Sequence, residues 1–275
     1  MMRHKLPWIM SAFQPDSFIV AEVAPSPNSD ERRGGVPPDM IVLHYTGMQD
    51  GKAALERLRA PESRVSSHYV VFEDGHIVQC VPETRRAWHA GESYWGGDTD
   101  INSRSIGIEI VNPGHEFGYP DYPRRQIAAV TALCRSILTR RRQMRPDLVL
   151  GHSDVAPSRK QDPGEKFPWG LLGESNIGHW VRPAPITLEG TSLKPDDRGD
   201  AVARLQRSLH EYGYAIEETG VYDDETRTVV TAFQRHFRPE RVDGIADAST
   251  LLTVRALMET RSIPLDASTN GSSWS

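Results

Sequence analysis

The chain is poor in the features that mark several protein classes. It has only two cysteines in 275 residues, Cys80 and Cys134. They lie far apart and in no metal-ligand spacing, so no disulfide framework or thiolate zinc site is indicated. Cys134 falls on an apolar helical stripe, and both are read as reduced core residues. No apolar run approaches the roughly 18 residues of a membrane span. There is no basic excess: 37 acidic and 32 basic residues leave a net charge of −5, which argues against a general nucleic-acid binder. The N-terminus starts basic, but its apolar run from Leu6 to Phe13 is broken by Pro7 and Ser11. No cysteine follows to take a lipid, so neither cleavage nor anchoring is expected, and the cytoplasm is favoured over the periplasm.

What is present is an ordinary soluble balance, 38% hydrophobic and 25% charged. The length exceeds the about 100–200 residues of one domain, so two are expected. The acidic excess sits entirely in residues 189–275, which hold 15 acidic and 10 basic side chains. Residues 1–37 form a leader, with 14–39 rich in Pro, Ser, Asp and Gly and expected to drape over the surface. Order begins at Met40-Ile41-Val42-Leu43, a continuous apolar run that suits a buried strand. Strand-like runs follow at 68–72 and 76–81, joined by the hairpin signal Asp74-Gly75. Further strands are expected at 105–111 and 148–150. Between Arg124 and Arg142 the residues Ile127, Val130, Cys134, Ile137 and Leu138 recur at helical spacing. Arg140, Arg141 and Arg142 close that helix and are read as a solvated end. The fold class is therefore α/β, a mixed central β-sheet flanked by helices over residues 38–177.

A proline-bearing linker occupies 178–195, and beyond it the pattern is purely helical. Val202, Leu205, Leu209 and Tyr212 mark one amphipathic helix. Thr226, Val229, Val230, Phe233 and Phe237 mark a second, and Thr250, Leu251, Val254, Leu257 and Met258 a third. Residues 196–262 thus form a small three-helix all-α unit, and 263–275 a Ser-rich tail expected to be disordered.

Of ten histidines, His4, His115, His179, His210 and His236 lie in the leader, loops, linker or small unit, and are set aside as surface or packing residues. His44 and His152 differ, because each ends a short buried strand and is followed by a polar loop. Asp162 follows His152 on a proline-rich loop. Two imidazoles and a carboxylate leave a tetrahedral zinc ion one open position, the arrangement of a catalytic site. From spacing alone the alternative stands beside it: two packed and hydrogen-bonded strand-end histidines.

Five ordered blocks then carry a resemblance: Val42-Leu43-His44-Tyr45-Thr46, Ser66-Ser67-His68-Tyr69, Ala87-Trp88-His89-Ala90-Gly91, Ser105-Ile106-Gly107-Ile108-Glu109, and the run from Gly151-His152 to Asp162-Pro163-Gly164. Over about residues 38–172 the chain resembles the zinc-dependent N-acetylmuramoyl-L-alanine amidases of the AmpD/AmiD type, relatives of peptidoglycan recognition proteins. The resemblance implies Zn²⁺ on His44, His152 and Asp162, a catalytic Glu109, and Lys160 near the metal. Trp88, His89, Asn102 and Arg104 are candidate substrate contacts, with packing as the rival role for His89, while Trp88 and Trp95 each face either substrate or core. The C-terminal blocks Gly199-Asp200 to Leu205-Gln206, Gly220 to Thr226 and Ala232 to Phe237 are similar to the three-helix peptidoglycan-binding domain. Asp243-Gly244-Ile245-Ala246-Asp247 echoes the turn at Gly220; Asp223 and Asp247 also read as simple helix caps.

The implied activity is hydrolysis of the amide between N-acetylmuramic acid and L-alanine in peptidoglycan or muropeptides, in wall recycling or turnover. A monomer with a wall-derived partner, no nucleic acid and no membrane span is expected. Zinc would make water acidic and polarise the carbonyl, Glu109 would move the proton, and Lys160 would meet the oxyanion. The helical unit would tether wall fragments nearby. A non-catalytic muropeptide receptor and a wall anchor are the rival classes.

Overall fold

The computed structural model describes residues 13–261; the expectations for the first residues and for the Ser-rich tail from residue 263 lie outside them. In chain order the strands are β1 (Glu22–Val23), β2 (Ser29–Glu31), β3 (Met40–Tyr45), β4 (Tyr69–Val71), β5 (Ile77–Gln79), β6 (Arg85–Ala87), β7 (Ser105–Ile110) and β8 (Val149–Gly151). The helices are α1 (Gly51–Arg59), α2 (Ile101–Arg104), α3 (Arg124–Arg140), α4 (His152–Val155), α5 (Trp169–Glu174), α6 (Asp200–Tyr212), α7 (Asp224–Phe237) and α8 (Ala248–Thr260).

Six strands form one sheet in the order β1-β5-β4-β7-β3-β8. β3 runs parallel to both β7 and β8, which explains its unbroken apolar sequence: a parallel strand is covered on both faces. The β4–β5 pair is antiparallel, with Val71 opposite Ile77. Its turn is closed by the Asp74 carboxylate accepting from His76 N–H at 2.8 Å. The sheet is therefore mixed.

The alternation of β3 sends its side chains to two different cores. Ile41 and Leu43 join Ile106, Ile108 and the α3 residues Ile127, Val130, Leu133, Cys134 and Ile137. Met40 and Val42 join Leu150, Val155 and Trp95, and the same cluster continues into Val202, Leu205, Leu209, Tyr214, Phe233 and Phe237 of the C-terminal unit. The three C-terminal helices thus pack on the first unit and share a core with it. Within that unit, Asp223 and Asp247 cap α7 and α8 by accepting from Thr226 and Thr250 N–H. Gln206 and Gln234 repeat one device: each amide oxygen accepts two N–H groups of the following turn, at Thr219 and Gly220, and at Asp243 and Gly244.

Two expectations are corrected. The stretch 14–39 does more than drape over the surface. β1 pairs in parallel with β5, and β2 forms a second sheet with β6. Buried Arg32 donates to the carbonyls of Glu83, Ser103 and Ser105. A polar, proline-rich sequence hides this role because pairing of backbone with an edge strand needs no apolar period. The arginine-rich end of α3 is not simply solvated either. Arg140 and Arg141 hold the buried Glu83 carboxylate at 2.6 and 2.8 Å, and Tyr69 O–H donates to it at 2.7 Å. Cys80 and Cys134 are free and buried.

Candidate active site

β3 and β7 are neighbours in register, with Val42 opposite Gly107 and His44 opposite Glu109. Pleating turns Met40, Val42 and His44 to the same face as Ser105, Gly107 and Glu109. β8 lies on the other side of β3 and delivers His152 at the first position of α4. Asp162 arrives on the loop that follows, tied back by Ser153 N–H donating to the Asp162 carbonyl at 2.9 Å. The adjoining Pro163 carbonyl accepts from Tyr119 and Tyr122 O–H at 2.7 and 2.8 Å.

Three atoms converge. His44 Nδ1 lies 2.9 Å from His152 Nδ1, and each lies 3.1 Å from Asp162 Oδ2. All three residues are buried. The outer nitrogens of the rings are also engaged. His152 Nε2 meets the Ala90 carbonyl at 3.0 Å. A carbonyl only accepts, so Nε2 carries the proton and Nδ1 presents its lone pair. His44 Nε2 meets His89 Nδ1 at 3.0 Å, His89 Nε2 meets Ser105 Oγ at 3.1 Å, and Ser105 donates to the Ile101 carbonyl at 2.6 Å. Read back from that carbonyl, every proton has one consistent place, and His44 Nδ1 is left as a lone pair. Three acceptors facing one another at about 3 Å in a buried site suit a cation. Outer partners that fix the tautomer are the usual support of metal-binding histidines.

Burial, then the neighbouring His152 ring, pushes the His44 imidazole down to about 4. It is neutral at physiological pH, as a ligand must be. Burial works against the Asp162 carboxylate, but its closeness to the His152 and His44 rings outweighs that and holds it well below the ordinary range. Glu109 goes the other way. Burial first, then the Asp162 charge, raises it well above the ordinary value, with Lys160 opposing. Its Oε2 is buried without a hydrogen-bond partner.

These groups open into one cleft of about 360 Å³, lined by His44, Glu109, His152, Lys160, Asp162, His89 and Trp88, with Thr46, Ser66 and Arg57. The family model described as N-acetylmuramoyl-L-alanine amidase matches residues 34–165, and a putative peptidoglycan binding domain matches 198–253. The amidase AmiD of Escherichia coli is 36% identical over 232 residues, covering 80% of this chain and 82% of its own length. This chain belongs to the N-acetylmuramoyl-L-alanine amidase family. The AmiD structure, a complex with anhydro-N-acetylmuramic acid-L-Ala-D-γ-Glu-L-Lys, superposes with a TM-score of 0.69 over 84% of this chain and 92% of that one. AmpDh3 of Pseudomonas aeruginosa, 34% identical, gives 0.68 over 82% of this chain and 93% of its own.

The remaining candidate residues of this amidase are distributed unevenly. Trp88 lines the cleft, its indole N–H donating to Asp30 at 3.1 Å. His89 touches the cleft but is occupied by His44 and Ser105. Asn102 turns inward: its Oδ1 accepts from His89 N–H at 3.0 Å and Ala90 N–H at 2.8 Å. It therefore fixes the loop that supplies both outer partners of the histidine pair. Arg104 is not brought to the main cleft; it pairs with Asp39 at 2.7 Å. Trp95 is a core anchor, 3% exposed and edge-on to Tyr214 at 4.9 Å. Arg57 of α1 also lines the cleft, and a polar residue on an amphipathic helix carries no local sign that a cleft lies beside it.

Proposed function

We propose that this amidase holds zinc on His44, His152 and Asp162 and hydrolyses the amide joining N-acetylmuramic acid to L-alanine in soluble, anhydro-type muropeptides. The observation that carries it is the placement of Glu109, whose Oε2 is buried without a hydrogen-bond partner, directly across the strand pair from His44. When bound, zinc supplies a Lewis acid that polarises the scissile carbonyl and brings a water's pKa towards neutrality. Glu109 takes the proton of that attacking water and passes one to the departing amine of L-alanine. Its raised pKa suits it to hold the proton between the two steps, while a cation at the ligand trio acts against that rise. The Lys160 ammonium, in the same cleft, donates to the oxyanion as it forms. Such a donor is worth about 10²–10³ in rate. Trp88 supplies an apolar wall for sugar or peptide. The His89–Asn102–Ser105 set positions the histidines through its hydrogen bonds.

The experiment is zinc analysis together with product analysis, on soluble anhydromuropeptides beside intact sacculi. Stoichiometric zinc and release of free stem peptide from the soluble substrate are expected. Binding without cleavage would instead identify a receptor. Among the described residues no helix is long and apolar enough to cross a membrane. We propose a cytoplasmic monomer; cell fractionation with untagged protein tests the cytoplasm against the periplasm, and sedimentation tests the monomer.

A further inference from the structure

The mechanism gives no task to Asp154, although it is wholly buried two residues beyond His152. Its Oδ2 accepts from Gly151 N–H at 2.7 Å. Asp154 therefore closes the turn from β8 into α4 on which His152 is mounted. The other partners come from the C-terminal unit. His236 Nδ1 lies 2.7 Å from Oδ2, and Tyr214 O–H donates to Oδ1 at 2.7 Å, from 82 and 60 residues away. The His236 ring is held in turn, stacked on Trp169 with centroids 3.7 Å apart.

A second grip comes from the adjacent residue of α7. Arg235 donates to Gln161 Oε1 at 3.2 Å and lies 3.9 Å from the Glu165 carboxylate. Gln161 and Glu165 flank Asp162. Successive residues of one helix thus reach the two segments that carry His152 and Asp162, which are already bonded to each other through Ser153.

We infer that the C-terminal helical unit is part of the scaffold of the metal site. Tyr214 and His236 are positioning residues for His152, acting through Asp154, and Arg235 does the same for the Asp162 loop. None of them touches substrate or the reacting atoms. A carboxylate enclosed this fully is costly without its donors. Removing the unit strips Asp154 of two of three and uncovers the Met40–Val42 face of the sheet, so tethering is not its only contribution. The inference rests on the trio being the zinc site.

The test uses the full chain. Tyr214→Phe combined with His236→Gln is compared with Arg235→Ala and with Tyr222→Phe. Tyr222 is equally buried in the same unit, but its O–H donates to the Gly244 carbonyl, within that unit. Zinc retention against a competing chelator reports affinity, and visible absorption after loading with Co²⁺ reports ligand geometry. The Tyr214/His236 pair should lose about 10-fold or more in zinc affinity, the scale of outer-partner effects, and change the cobalt spectrum. Arg235→Ala should move both less, in the same direction. Tyr222→Phe should lower the melting temperature and move neither. Parental affinity and spectrum in the double variant overturn the inference, as does an equal effect of Tyr222→Phe. Where the pair does not fold, His236→Gln alone decides by the same readings. Failure of the zinc reading looks different: the unaltered protein would take up no stoichiometric metal.

Discussion

Gly107→Ala puts the outer partner of His44 to a direct test. Gly107 lies on β7 beneath the His89 ring. A Cβ there would fall 2.5 Å from His89 Cγ, 2.6 Å from Cδ2 and 2.8 Å from Nδ1. Carbon atoms pack at about 3.5–4.0 Å, so the ring must retreat by about 1 Å. It has no slack, being held at 3.0 Å to His44 and 3.1 Å to Ser105. Retreat carries Nδ1 beyond hydrogen-bond reach, and His44 Nε2–H loses its acceptor in a buried site. Overpacking costs about 1–3 kcal/mol of stability, and loss of the outer partner costs about 10–100-fold in zinc affinity. Chelator competition at neutral pH and a thermal melt measure the two effects separately. Adding His89→Ala makes room for the new methyl. The double variant should then recover much of the stability but none of the zinc affinity, since His44 still lacks its partner. A Gly107→Ala protein that binds zinc as tightly as its parent would refute the proposed role of His89.

Two further outcomes follow from the same geometry. Glu109→Gln should keep its zinc and its melting behaviour while kcat on a soluble muropeptide falls by about 10²–10⁴, the usual worth of a general base; near-parental turnover would remove Glu109 from the proton path. His68 is buried away from the ligands, its Nδ1 accepting from Gly107 N–H at 3.0 Å, and burial, then Arg32, pushes it down to about 3. Its folded pKa lies below the unfolded value near 6.5, so the unfolded chain takes up the extra proton first. Stability is then lost as pH falls from 6.5 towards 3, by at most about 1.4 kcal/mol per pH unit for this one group. The His68 ring resonance should not titrate above about pH 4, and a midpoint near 6.5 would contradict the account.

The sequence by itself determines those features whose cause is local. The four-residue apolar run at Met40, the Asp74-Gly75 turn and the 3.6-residue stripe from Ile127 to Ile137 each report a backbone period or a turn, and the strands, hairpin and helices stand there. The strand-end position of His44 is legible for the same reason, since an apolar strand that stops at a polar loop shows where its last side chain lies; His152 instead stands one residue past β8, at the first position of α4. Only the tertiary structure decides what those residues meet. Asn102 and His89 sit in blocks that point to the cleft, and only the fold shows that their hydrogen bonds hold His44 and the loop at Ala90. Glu83 and its two arginines are 57 and 58 positions apart, and neither end announces the other. His236 looks like any histidine near the end of an amphipathic helix. It becomes a fixture of the ligand turn because Met40 and Val42 need an apolar cover, and the C-terminal helices that supply it bring α7 against Asp154. Pairing across such distances is set by packing and by the cost of leaving a buried polar group alone, and neither leaves a periodic mark in the chain.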